Sequence, residues 1–104
     1  MGQRTLVTIA ASGTLSDAAI LQGDLKFICI PASMTGTTLK IHGSYDGTTY
    51  TVLKDTSGND LSITIGSAIA IIPVAGLNLV GLRAIKLLSG SAETGAKVIT
   101  LITD

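Results

Sequence analysis

The sequence predicts an all-β protein: a single-domain antiparallel β-sandwich of the jelly-roll or Greek-key type. Its apolar residues are mostly Ile, Leu, Val and Ala, and Thr is frequent among the polar ones. Thr, Val and Ile favour strands because branching at Cβ suits a pleated surface. Gly, Pro, Asp and Asn interrupt the chain at short intervals, and the runs between them have the length of strands. Eight or nine short strands in 104 residues are typical of a sandwich.

Nine segments are predicted as strands, each bounded by turn-forming residues. In chain order they are Thr5–Ala11, Ala18–Leu21, Leu25–Pro31, Thr38–Ser44, Thr49–Lys54, Leu61–Ile65, Ala68–Ile72, Leu82–Leu88 and Lys97–Thr103. No long 3.6-residue period occurs, and only residues 74–81 have a pattern that allows a single helical turn. Residues 1–104 are predicted to form one domain, in which residues 1–16 are an N-terminal arm or a strand.

Two tight turns are predicted from short polar motifs. Asp46-Gly47 is a hairpin signal, because Gly tolerates positive φ and Asp caps the turn. In the second turn, Gly58 and Asn59 are expected to supply the left-handed backbone positions, and Asp55 is expected to accept hydrogen bonds within the turn. These five residues are therefore predicted to determine turns.

The second turn also has the spacing of a calcium loop, which raises the question of a metal site. Asp55, Ser57 and Asn59 match the first three ligands of an EF-hand. The sixth position is Asp60, where the loop requires Gly, and the twelfth is Gly66, where a bidentate Glu should bind. A polar turn without metal is therefore the prediction.

The polar residues do not form a recognisable catalytic set. His42, Ser44 and Asp46 share one face of a strand, but neighbours two apart on a strand are about 7 Å apart, too far for a hydrogen-bonded relay. Cys29 lies in an apolar strand without a basic neighbour and is predicted to be in the core. We therefore predict no catalytic residue, no cofactor and no enzymatic activity.

Charge and hydropathy argue against two classes of partner. Lys plus Arg and Asp plus Glu number seven each, so no net field attracts nucleic acid or an anionic membrane. The longest apolar stretch, Ala68–Leu82, is interrupted by Pro73 and by glycines and is shorter than the roughly 18 residues of a spanning helix. Neither nucleic acid nor membrane is expected as a partner. Since Cys29 is the single cysteine, no disulfide framework is expected either.

The third and the last predicted strands are apolar on both faces. In a lone sandwich a strand has one face toward the core and one toward water, so a second apolar face needs a cover. The cover is either an overlying loop or the N-terminal segment, or it is another subunit. The low share of charged residues, 13%, favours a subunit interface. We predict self-association as a homotrimer, with Ile28, Ile30, Ile99 and Leu101 in the interface.

Four motifs occur in a characteristic order. They are an apolar strand that ends in Pro, a strand that closes on S-x-D-G-x-x-Y, a D-x-x-G-N turn, and G-(L/V)-R-x-(I/L)-(K/R)-(L/V)-x-S-G. In this chain they are Phe27–Pro31, Ser44–Tyr50, Asp55–Asn59 and Gly81–Gly90. From about Ser16 onward, this order resembles small jelly-roll proteins encoded among tailed-phage structural genes, the capsid cement or decoration proteins.

The resemblance implies a structural virion protein. Such a protein binds the major capsid protein on the capsid exterior, stabilises the phage head and is made in the host cytoplasm. Tail and fibre β-sandwiches of phages share the D-G-x-x-Y hairpin, so the alternative is a module that binds a host receptor or glycan. The chain has few aromatic residues, 3%, which disfavours the alternative. Residues 77–80 depart from the resemblance, because they are more apolar than is expected of a cement protein before the motif that begins at Gly81.

Overall fold

The computed structural model describes residues 3–21, 25–32, 34–66, 68–74 and 82–103, which form two antiparallel β-sheets packed face to face. The strands in these ranges are β1 (Gln3–Ile9), β2 (Ala19–Ile20), β3 (Leu25–Ile30), β4 (Thr38–Ser44), β5 (Thr51–Val52), β6 (Ser62–Thr64), β7 (Ala70–Pro73), β8 (Ala84–Ser89) and β9 (Lys97–Thr103). All nine predicted strands are present: β4 and β9 have the predicted bounds, and the ends of the others differ by a few residues. The helical turn considered for residues 74–81, and the apolar residues 77–80, fall almost wholly outside the described residues.

The strands pair in a nested order. The first sheet has the order β1-β9-β3-β7, and the second has the order β2-β8-β4-β5, with β6 also on β4. Thus β1 pairs with β9, β2 with β8, β3 with β7, and β4 with β5 and β6. Nested antiparallel pairs distributed over two sheets are the arrangement of a jelly roll. The predicted antiparallel sandwich is confirmed.

The core lies between the two sheets and is filled by aliphatic side chains from alternate strand positions. Its fully buried large aliphatic members are Val7, Ile9, Ile28, Ile30, Leu39, Ile41, Ile85, Leu87, Ile99 and Leu101. Each such side chain contributes about 1.5–3 kcal/mol when it leaves water. The alternation is clear on β9, where Ile99 and Leu101 point inward and their neighbours Val98 and Ile102 point outward.

The burial of β3 and β9 corrects one prediction. Ile28, Ile30, Ile99 and Leu101 are at most 1% exposed, so they belong to the core and do not form a subunit interface. Both strands are indeed apolar on both faces. When both faces of a strand are apolar, the sequence pattern does not indicate which face meets the opposite sheet. The prediction placed these four residues on the outer face, and they lie on the inner one.

Candidate functional site

The outer face of the first sheet carries rows of mostly apolar side chains. In register across the four strands, the central row is Ile71, Cys29, Thr100 and Leu6. The row on one side of it is Pro73, Phe27, Ile102 and Arg4. On the other side, Val98 and Thr8 begin a third row. We call this surface the outer apolar face.

The outer apolar face is open to solvent. The exposed fraction is 61% for Leu6, 68% for Ile71 and 45% for Val98, and the adjoining Ile69 is 75% exposed. Single exposed apolar residues are common on soluble proteins, but a contiguous group on one sheet face marks an interaction site. This face is therefore the candidate functional site.

A shallow groove of about 310 Å³ opens on this face where β3, β7 and β9 run side by side. It is lined by Cys29, Ile30, Pro31, Ile69, Ala70, Ile71, Val98 and Thr100. Its polar side-chain atoms are the Thr100 hydroxyl and the Cys29 thiol, so the groove suits the binding of an apolar group better than catalysis. Cys29 is partly exposed here. The prediction that Cys29 is in the core is wrong, because Ile28 and Ile30 take the inward positions of β3.

The outer face of the second sheet is polar by contrast. His42 pairs in register with Lys86, whose ammonium lies 4.5 Å from the centroid of the Tyr50 ring. The Lys40 ammonium lies 3.0 Å from Asp60 Oδ2. Surface pairs of this kind contribute little to stability. The two outer faces therefore offer different chemistry to a partner, one apolar and one charged.

Residues 44–49 form a tight turn, as predicted. The Ser44 hydroxyl donates to Asp46 Oδ1 at 2.9 Å and accepts from the Gly47 N–H at 2.8 Å. Asp46 Oδ1 also accepts from the N–H groups of Thr49 and Thr48. The hydrogen bonds that Asp46 accepts from Thr49, Thr48 and Ser44 lower its pKa to about 2. Ser44 and Asp46 are close because β4 ends at Ser44 and the chain turns, so the separation expected for a continuous strand does not apply.

We expect the substitution Gly47→Val to destabilise the domain by about 1–3 kcal/mol, because a β-branched residue is strained at positive φ. Gly47 has a φ of +83°, and an added Cβ would lie 3.0 Å from Arg83 Cδ. The matched change His42→Ala, on the outer face of β4, should alter the free energy of unfolding by less than about 0.5 kcal/mol. Urea unfolding of both variants measures the difference. Equal losses would contradict the turn assignment.

The second turn agrees with the prediction at two of three positions. Asp55 Oδ1 accepts from the N–H groups of Ser57 and Asn59, both at 2.9 Å. Gly58 has a φ of +88°, whereas Asn59 does not have a positive φ. Instead, the backbone carbonyl of Asn59 accepts a hydrogen bond from the Asp55 N–H at 2.8 Å. One left-handed residue is enough to close this turn. No group of three potential metal-binding His, Cys, Asp or Glu side chains occurs among the described residues.

Glu93 is a structural residue that the sequence did not reveal. Its side chain is buried, and its carboxylate accepts hydrogen bonds from the N–H groups of Thr35 and Gly36 and from the Ser89 hydroxyl, each at 2.8 Å. Burial by itself raises the pKa of Glu93, but these bonds and the nearby Lys97 outweigh burial, and the pKa is lowered. Glu93 is thus held as a carboxylate inside the protein.

The backbone of Glu93 joins a third segment to this cluster. Its carbonyl accepts the Ser12 N–H at 2.7 Å, and its N–H donates to the Gly13 carbonyl at 2.9 Å. Glu93 therefore ties the β8–β9 loop to the β1–β2 and β3–β4 loops. The available signal was that Glu93 is the only glutamate of the chain. Within the loop sequence SAETG, however, an acid is ordinarily solvated.

No protein-family model matches the sequence, and no curated protein does. Among solved structures, the chain is similar to a protein from Bacillus endospore appendages, which are described as a novel family of disulfide-linked pili. The TM-score is 0.39 at 17% identity, over 99% of this chain and 86% of that one. At this level the likeness carries no argument about this chain.

In the ranges that the structure describes, no helix has the length and apolar character needed to cross a bilayer.

Proposed function

We propose that this chain is a structural virion protein, a capsid cement or decoration protein that binds the major capsid protein and stabilises the phage head. The observation that supports this most directly is the outer apolar face. Leu6, Ile71 and Val98 lie exposed on the outer face of one sheet, and such a surface is ordinarily covered by another protein. The link to a phage shell comes from the resemblance of the motif order to cement proteins.

The physical properties of the chain suit a role on an assembled shell. A cement protein attaches through several modest contacts, and later contacts form at high effective concentration once the first has formed. Thr and Ser side chains, which are frequent here, lose little rotamer entropy when an interface orders them. Binding across neighbouring shell subunits adds contacts that are lost only on disassembly. The protein is made in the host cytoplasm and then sits on the capsid exterior.

We expect particles that carry this chain to resist heat better than particles without it. The experiment adds purified chain to particles that lack it and measures the temperature at which the shell releases DNA. Val98→Asp places a charge on the outer apolar face and should reduce the protection. The matched control is Ile20→Asp on the second sheet, because Ile20 is 54% exposed and Val98 is 45% exposed. This variant should protect the particle as well as the unmodified chain does. Equal rupture temperatures with and without the chain would contradict the proposal.

A tail or fibre module that binds a host receptor or glycan is the second candidate. Tyr45 is 79% exposed beside the Asp46-Gly47 turn, and an exposed aromatic ring suits the apolar face of a sugar. This candidate predicts that Tyr45→Ala abolishes attachment to host cells without altering the heat resistance of the particle. The cement proposal predicts normal attachment for the same variant.

A further inference from the structure

We infer that the outer apolar face binds the same face of a second copy of this chain, in a two-fold dimer with the first sheets packed against each other. The pattern of residues on this face supports the dimer, whatever role the chain has at a shell.

The register of the first sheet makes this face complementary to its own rotated copy. The central row is Ile71, Cys29, Thr100 and Leu6. A two-fold axis that runs along this row, between two facing sheets, places each of the four residues opposite its own counterpart. It also places Val98 of one copy opposite Ile102 of the other, because these residues lie two positions on either side of Thr100 on β9. Apolar side chains then meet apolar side chains across the contact, as an isologous interface requires.

The charges on β1 are complementary under the same rotation. Arg4 and Thr8 lie two residues on either side of Leu6, so each is roughly 6.6 Å from it along the strand. The exposed Asp17 lies beside Thr8, because its Oδ1 accepts the Thr8 N–H at 2.8 Å. The axis therefore brings Arg4 of one copy close to Asp17 of the other, twice by symmetry. Arg4 has no ion pair within the described ranges. Rim charges of this kind fix orientation more than they add affinity.

The size of the face indicates a reversible dimer. Four strands about 4.8 Å apart and three rows about 6.6 Å apart cover a footprint of roughly 400 Å² per copy. Two copies bury roughly twice that, which is below the range of about 1,200–2,000 Å² for stable complexes. A single face that pairs with itself closes at two copies, whereas a trimer needs two different patches on each subunit. The structure thus favours a dimer over the trimer that we expected from the sequence.

Sedimentation equilibrium over a range of concentrations tests the dimer. The unmodified chain should rise from 10.5 kDa at low micromolar concentration toward about twice that mass at high concentration. Leu6→Glu places two carboxylates opposite each other at the axis and should stay monomeric. The control is Ile20→Glu on the second sheet, because Ile20 is 54% exposed and Leu6 is 61% exposed. This variant should dimerise normally. A circular dichroism melt of each variant confirms that it is folded.

A cross-linking experiment tests the orientation of the two copies. Packed sheets lie about 10 Å apart, so a bismaleimide of that span should link Cys29 of one copy to Cys29 of the other. The double variant Cys29→Ser/Ile20→Cys moves the single thiol to the second sheet and should not be linked. A monomer at every concentration, a trimer, dimerisation of Leu6→Glu, or efficient linking through position 20 would each overturn the inference. These outcomes are independent of whether the chain protects a phage shell.

Discussion

Ile99→Asp should unfold the domain, whereas the same change at the adjacent Val98 should leave it folded. Ile99 is fully buried between the sheets, and an ionised carboxylate without a partner in the core costs several kcal/mol. That is a large part of the 5–15 kcal/mol that typically stabilises a domain. Val98 is 45% exposed on the outer apolar face, so its replacement leaves the carboxylate in water.

Far-ultraviolet circular dichroism and urea unfolding distinguish the two variants. We expect Ile99→Asp to lack a cooperative transition and Val98→Asp to unfold at a urea concentration close to that of the unmodified chain. Leu101→Asp, which lies on the same side of β9, should behave like Ile99→Asp. If Val98→Asp unfolded while Ile99→Asp remained folded, the inward and outward faces of β9 would be reversed. Ile99 and Leu101 would then lie on an exposed face, as the predicted interface requires.

Glu93→Ala should destabilise the domain by about 3 kcal/mol or more. The change removes the acceptor of two backbone N–H groups, those of Thr35 and Gly36, and of the Ser89 hydroxyl. A buried donor left without an acceptor costs about 1–3 kcal/mol. Glu93→Gln keeps one acceptor oxygen but points an NH₂ group at donors. Its loss of stability should therefore be measurable but smaller than that of Glu93→Ala. Asp60→Asn, which removes a carboxylate from surface ion pairs, is the control and should change stability little.

The same carboxylate makes stability depend on pH in a defined direction. The pKa of Glu93 is lower in the folded protein than its ordinary value of 4.5, so folding favours the ionised form. The stabilisation is complete above that ordinary value and is lost as pH falls through the folded pKa. Urea unfolding at pH 7 and at pH 3 should therefore show that the free energy of unfolding falls in acid, and that it falls less in Glu93→Gln than in the unmodified chain. Some loss should remain, because the pKa values of Asp46 and Asp60 are also lowered. An equal loss in both proteins would contradict the role assigned to Glu93.

The strands and turns could be predicted because their causes are local. The strands Thr38–Ser44 and Lys97–Thr103 lie between turn-forming residues, and the second is rich in β-branched residues. Both strands have these bounds in the structure. The Asp46-Gly47 turn follows from the lack of a Cβ in Gly and from the short acceptor side chain of Asp. At Asn59 a local preference was not enough, because Gly58 alone supplies the left-handed residue.

Features that depend on distant parts of the chain could not be predicted. Which face of β3 and β9 is buried depends on where the second sheet packs, and both faces offer apolar side chains. Cys29 was assigned to the core for that reason and lies on the outer apolar face. The acceptor role of Glu93 depends on Thr35 and Gly36, which are almost 60 residues away in the sequence. No short motif signals a contact of that kind.

We propose that this chain is a structural protein of a phage shell and that its outer apolar face is covered by protein there. Electron cryo-microscopy of the native particle tests this most directly. We predict density for the jelly roll on the outside of the head, over the junctions between capsomers, with Leu6, Ile71 and Val98 in contact with protein. Density at the tail tip, or a jelly roll on the head whose outer apolar face is open to solvent, would contradict the claim.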